Sequence, residues 1–183
     1  MDVRERLVQA GVELLETEGL AGMTQRQIAV RAGVSHGAPR HHFPTYAHLL
    51  AAIARQGVED LDARITDRLL TDEPREALIA TSMAVIDFAI RRPAMFELIG
   101  RHDLLDGAGG HLREMTGRWL SLLDEHIREV RPQADQRHAL AVWAGVQGLG
   151  VMLGRRGAEA ITDHAVDPAA VVDVLLTGVL TAD

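Results

Sequence analysis

Apolar residues recur along this chain at spacings of three and four almost from end to end. Val3, Leu7, Ala10, Gly11, Leu14 and Leu15 follow the stripe of an amphipathic helix, and Gly19 is the residue type that ends one in a left-handed turn. A short second helix is predicted over 24–32, with Thr24 as N-cap, Gln27 three residues on to complete a capping box, and Gly33 as its stop. Ser35 is placed to cap a third short helix, which carries Pro39 in its fourth or fifth position and is stopped by Pro44. Thr45 opens a long fourth helix through Leu49, Leu50, Ile53, Val58, Leu61 and Ile65 towards Leu69. Pro74 sits in the first turn of a helix over 75–92 with Ile79, Met83, Ile86 and Ile90 on one stripe; Pro93 breaks it, and 94–100 form a further turn or two. Residues 106–110 read as a loop, and 112–130, 134–156 and 168–181 as helices. No stretch alternates with period two long enough to make a strand, so the expected class is all-α with about nine helices.

Composition narrows the function classes. The chain has 183 residues, 47% hydrophobic and 25% charged, enough for a true core. It has no cysteine, which removes disulfide scaffolds and thiol catalysis. The N-terminus is charged and no apolar run reaches membrane-spanning length, so a cytoplasmic location without a membrane partner is expected. The net charge of −7 argues against nucleic acid until it is resolved along the chain. No carboxylate stands between Glu18 and Glu59, whereas Arg26, Arg31, Arg40 and Arg55 do, with His36, His41, His42 and His48 among them. That segment is +4 and the remainder −11, an asymmetry that points to a polyanion. All 19 basic residues are arginine.

The acid-free segment coincides with the three short elements, and the second and third of these are joined by Ala32-Gly33-Val34 in the pattern of a helix-turn-helix. Gly33 supplies the positive φ of a tight turn, and Ile28, Ala29 and Val34 are the apolar residues that pack the two helices. In this docking mode the second helix enters the major groove while the first crosses the backbone. The run 23–50, with its Thr24 cap, Ile28-Ala29, Ala32-Gly33-Val34-Ser35, Gly37, His42-Phe43 and Leu49-Leu50, resembles the DNA-binding domain of TetR-family transcriptional regulators. The resemblance implies a helix-turn-helix DNA-binding domain over 1–50 and a helical effector-binding and dimerisation domain over 51–183. It departs from the family at Pro39-Arg40, where Leu-Tyr is usual, and at Tyr46, where Lys is usual. Arg40 offers a charged, bidentate contact and either reads a guanine or clamps a phosphate. The expected DNA contacts are Thr24, Gln25, Arg26, Ser35, His36, Gly37, Arg40, His41, His42 and Tyr46, with packing behind Phe43 an equal alternative for His42.

The acidic body requires another role. The resemblance implies homodimerisation and binding of a small-molecule effector. High operator affinity from one short motif needs two half-sites, which a dimer supplies. Val142, Val146, Leu149 and Leu153 on one helix and Val172, Leu175, Leu176 and Val179 on the last form apolar stripes for that interface. Gly145, Gly148, Gly150 and Gly154 weaken their helix unless they admit a partner helix or a ligand. Soft and aromatic residues gather mid-body at Met83, Phe88, Met95, Phe96, Trp119 and Trp143, beside Leu122, Leu123, His126 and Gln147, and a few polar groups in an apolar cleft describe a ligand site. Asp87, Arg101, His102 and Asp103 are candidates for its mouth, with solvated surface the blander reading.

The reading is therefore a ligand-responsive regulator that binds a palindromic operator as a homodimer, represses, and is released by a small, mainly apolar effector. No cofactor and no metal site is expected, because the histidines of the basic segment lack acidic companions. The rivals are a helical adaptor and a small all-α enzyme. No nucleophile elbow, metal-binding HExxH or phosphate loop supports an enzyme, and the acid-free segment argues against an adaptor.

Overall fold

The computed structural model describes residues 1–68, 73–109, 112–155, 157 and 159–181; for Asp67, Glu159 and Ala160 only the backbone is described. Regular structure among these residues is all helical: α1 (Val3–Gly22), α2 (Gln25–Arg31), α3 (Ala38–His42), α4 (Tyr46–Arg68), α5 (Pro74–Arg91), α6 (Pro93–Gly100), α7 (His102–Leu105), α8 (Leu112–Val130), α9 (Gln136–Gly154), α10 (Glu159–Thr162) and α11 (Pro168–Thr181). The expected all-α class holds, and the four-residue segments α7 and α10 are the additions to the predicted set. Leu69, Gly110 and Arg156, on which predicted elements ended, lie outside the described residues.

The helix ends follow local chemistry. Asp2 caps α1 in a reciprocal box with Glu5, both bonds 2.8 Å. Gly19 takes the expected positive φ (71°) but does not end α1; it kinks the helix, which resumes to Gly22. Thr24 Oγ1 accepts the Gln27 N–H at 3.3 Å. The reciprocal half of the predicted box does not form, because the Gln27 side chain instead accepts from Thr24 Oγ1 at 2.6 Å and donates to Glu18 at 3.3 Å. α2 closes in a Schellman turn: Gly33 at φ 66° lets the Val34 N–H reach the Ala29 carbonyl (3.0 Å) and its own N–H reach that of Val30 (3.1 Å). α3 starts later than expected. Its N-cap is Gly37, Pro39 lies in its first turn, and Ser35 sits in the preceding turn without capping it. Proline has no N–H to contribute and its φ suits the first turn, so it draws the helix start toward itself.

Two compact units result, and they divide the chain elsewhere than at residue 50, which falls inside the unbroken α4. The first comprises Met1–Glu59 and Arg92–Leu112. There α1 packs on α2, α3 and α6. A Cβ on Gly11 would stand 2.2 Å from Ile53, and one on Gly57 would stand 2.5 Å from Met95, so these two glycines let neighbouring helices approach α4 and α1 closely. The ion pair Arg92–Glu16 (2.8 Å) ties α6 to α1. The second unit comprises Asp60–Arg91 and Arg113–Asp183, with α5 packed on α9 and α11. The buried face of α5 includes Leu78, Ser82, Val85 and Ala89 and keeps only Ile86 of the predicted stripe: Ile79 and Met83 are half-buried and Ile90 is exposed. Small residues such as Ala77, Ser82 and Ala89 win the inward face because α9 and α11 pack closely there.

Candidate nucleic-acid interface and ligand pocket

The helix-turn-helix presents Thr24, Arg26, Ser35, His36, Gly37, Arg40, His41 and His42 to solvent, with Gln25 and Tyr46 half-buried. His42 thus does not pack behind Phe43; it faces outward. The four arginines of the acid-free segment are not equivalent. Arg31 pairs with Glu13 at 3.7 Å and Arg55 with Glu59 at 2.8 Å, both at the solvent-exposed surface, so carboxylates from outside the segment partly offset both charges. Arg26 and Arg40 have no ion pair among the described residues.

Tyr46 does not stand free as a phosphate donor. Its hydroxyl donates to the Met23 carbonyl at 2.9 Å, and burial raises its pKa above the ordinary phenol value. The residue in the usual Lys position is therefore a tether, fastening the start of α4 to the link between α1 and α2. A cation that sequence reasoning missed is Arg4, whose guanidinium lies 5.1 Å from the centroid of the buried Phe43 ring, beside His42. The only sequence signal for it was an arginine in the first turn of α1; its neighbourhood is tertiary.

The second unit contains a small apolar pocket. Ile65 of α4, Leu78, Thr81, Ser82 and Val85 of α5, Trp119, Leu122 and Leu123 of α8, and Val142, Trp143 and Val146 of α9 line it. Leu78, Thr81, Ser82 and Val85 stand at i, i+3, i+4 and i+7, so one face of α5 forms a wall. The free volume is about 20 Å³, room for a single water. The Trp119 and Trp143 rings are 5.9 Å apart and tilted by 42°. Trp119 Nε1 donates to Asp62 Oδ1 at 2.8 Å, and Arg118 Nη2 reaches both oxygens of the same carboxylate at 2.8 Å. The wall of the pocket is thereby bolted to α4, the helix that continues from the first unit into the second.

Of the residues singled out for a ligand, Trp119, Leu122, Leu123 and Trp143 come together here. Met83, Phe88, His126 and Gln147 belong to the same unit but not to the lining. Phe88 is buried core, and half-buried His126 has Nδ1 2.9 Å from the Leu122 carbonyl, a local bond within its own helix. Met95 and Phe96 are corrected outright: both are buried core of the other unit. The mouth candidates Arg101 and Asp103 satisfy each other at 2.8 Å in that same unit, each shifting the other's pKa in favour of its charged form. Sequence reasoning missed Ile65 and the α5 wall, because Met and aromatic residues were taken as the marker and the wall is aliphatic and hydroxylic.

The stripes expected to meet a second copy divide between buried and half-buried positions. Val142, Val146, Val172 and Leu176 are buried within the protomer by α5, α9 and α11, out of reach of any partner. Leu149, Leu153, Leu175 and Val179 are half-buried. Gly145 admits Leu175 of the same chain, to which a Cβ would stand at 2.6 Å, whereas Gly148 faces open space. The apolar residues left exposed on α9 and α11 are their opposite faces: Leu140, Val151 and Met152, and Val171 and Val174, the last 72% exposed.

Residues 7–53 match the family model described as bacterial regulatory proteins, tetR family. The chain is 31% identical over 157 residues to the HTH-type transcriptional regulator BetI 1 of Chromohalobacter salexigens, covering 80% of this chain and 76% of that protein. It is 28% identical over 130 residues to the nucleoid occlusion factor SlmA of Shewanella loihica, covering 69% of this chain and 64% of that relative's length. A solved protein of unknown function from Rhodococcus sp. RHA1 superposes with a TM-score of 0.80 at 25% identity, over 98% of this chain and 94% of that one.

Proposed function

The chain belongs to the TetR family of bacterial regulatory proteins, a ligand-responsive class of DNA-binding regulators, and from that premise we propose that it is a repressor. In this reading it binds a palindromic operator as a homodimer and is released by a small, mainly apolar effector. In it the helix-turn-helix of the first unit reads DNA, and the second unit holds the effector and meets the second copy. The chain acts as a binding protein rather than an enzyme, in the cytoplasm where its operator lies.

The observation that carries the reading is the exposed Arg40 on α3, without an ion pair among the described residues, in a segment free of carboxylates within an otherwise acidic chain. Thr24, Gln25, Arg26 and His41 are the phosphate and groove-edge contacts beside it, and His36 and Gly37 approach the base edges. The exposed apolar faces of α9 and α11 support a self-complementary interface. The aliphatic and tryptophan lining of the pocket supports an apolar effector. An effector that favours the spacing unfit for DNA lowers operator affinity by its differential affinity for the two states. α4 is the lever, since it carries Tyr46 at one end and Asp62 and Ile65 at the pocket.

Selection of bound sequences from a random duplex pool tests the reading. The expected result is a palindrome with half-sites about one helical turn apart, bound with a steep loss of affinity as salt rises. Recovery of no consensus, with binding indifferent to salt, would reject it in favour of an adaptor or an enzyme.

A further inference from the structure

We propose that the pocket takes an uncharged, ring-bearing molecule with one hydrogen-bonding group, and that Thr81 is the residue that selects for that group. The inference rests on reading this cavity as the effector site and names the chemistry it accepts.

No lining side chain carries a charge. An ionic group entering would lose its hydration with nothing in the wall to replace it. Two of the wall's four polar side-chain groups are committed, and a third, the indole N–H of half-buried Trp143, is not sealed from solvent. The Ser82 hydroxyl donates to the Leu78 carbonyl at 2.7 Å, as a serine inside a helix does, and the Trp119 N–H is held by Asp62 at 2.8 Å. Thr81 breaks this pattern. Its Oγ1 is sealed from solvent and has no hydrogen-bond partner among the described residues, although the carbonyl of the preceding turn is the customary one for a threonine in mid-helix. Buried hydroxyls are almost always paired, so one left open on a cavity wall is a binding determinant in need of its complement. The two indoles supply flat apolar surface for a ring, and a ring enters the 20 Å³ space only if half-buried Trp143 moves outward, which the emission of that residue would report.

The test uses benzyl alcohol, toluene, benzoate and benzylammonium, which share a ring and differ in the appended group. The chain has two tryptophans, both in the lining, so intrinsic emission reports occupancy directly. Benzyl alcohol is expected to change emission saturably, and benzoate and benzylammonium to bind at least tenfold more weakly, as about the cost of one unmet charge. Thr81→Val keeps the side-chain shape and is expected to weaken benzyl alcohol about five- to tenfold while leaving toluene unchanged. The variant should melt at or above the wild-type temperature, since it removes an unpaired buried hydroxyl; a lower Tm would mean that the hydroxyl is paired and would overturn the proposal. Equal binding of a charged analogue, no saturable response to benzyl alcohol, or a Thr81→Val variant that treats alcohol and toluene alike would each overturn it. Salt-dependent DNA binding measured on the same preparations keeps the two claims apart: if it persists while these ligand results fail, the regulator stands and the pocket chemistry falls.

Discussion

Among the described residues no carboxylate lies within pairing distance of Arg26 or Arg40, whereas Glu13 and Glu59 pair with Arg31 and Arg55. The sequence displays four like charges, and only side-chain geometry sorts them into two that pair and two that do not among the described residues. Arg40→Ala is therefore expected to weaken operator binding about tenfold and to reduce the salt slope by about 1, whereas Arg31→Ala should leave both nearly unchanged; fluorescence anisotropy across a salt series measures each. Tyr46 shows the opposite difference between reading and structure. Its phenol suggested a phosphate contact, yet its proton is spent on Met23 23 positions away, a partner that no local pattern announces. Tyr46→Phe should lower unfolding free energy by about 1 kcal/mol in a denaturant titration, with operator affinity of the folded fraction little altered.

Helix ends were largely readable where the chemistry is local. The Thr24 cap and the turn at Gly33 follow from residue type, whereas the Asp2 cap of α1 went unread, and Gly33→Ala should cost about 1 kcal/mol or more because an L side chain is strained at φ 66°. The start of α3 was misread because Ser35 and Pro39 are competing signals and the proline constraint is the stiffer. The cap of α9 is Asp135, where the Arg137 guanidinium, aided by His138, holds the carboxyl well below the usual carboxylate range. A depressed folded pKa adds stability that is present in full above the ordinary carboxylate pKa near 4 and is lost as pH falls through the folded value. Asp135→Ala is thus expected to lower Tm at neutral pH, with the gap to wild type closing as pH drops below about 4; melting curves across pH provide the check. The orientation of α5 was not readable, because its apolar and small residues allow more than one inward face and the choice rests with α9 and α11.

For the whole molecule, the exposed rather than the buried faces of the last long helices are the surfaces available to a second copy. Val174→Glu should leave the protomer folded, abolish the dimer in sedimentation velocity and reduce operator affinity by the loss of one half-site; Leu176→Ala on the inner face should instead cost about 2–5 kcal/mol of stability. The sequence by itself determined the all-α class, the helix-turn-helix and its turn, and the concentration of positive charge upon it, because helical periodicity, capping and charge are properties of residues close together in the chain. Tertiary structure alone decided which arginines pair among the described residues, that Met95 and Phe96 belong to the core of the first unit, and that the aliphatic face of α5 lines the pocket with Trp119 and Trp143. Those outcomes depend on which of several similar faces finds a complementary neighbour, and packing selects among such faces by volume and close approach, to which a one-dimensional pattern is blind.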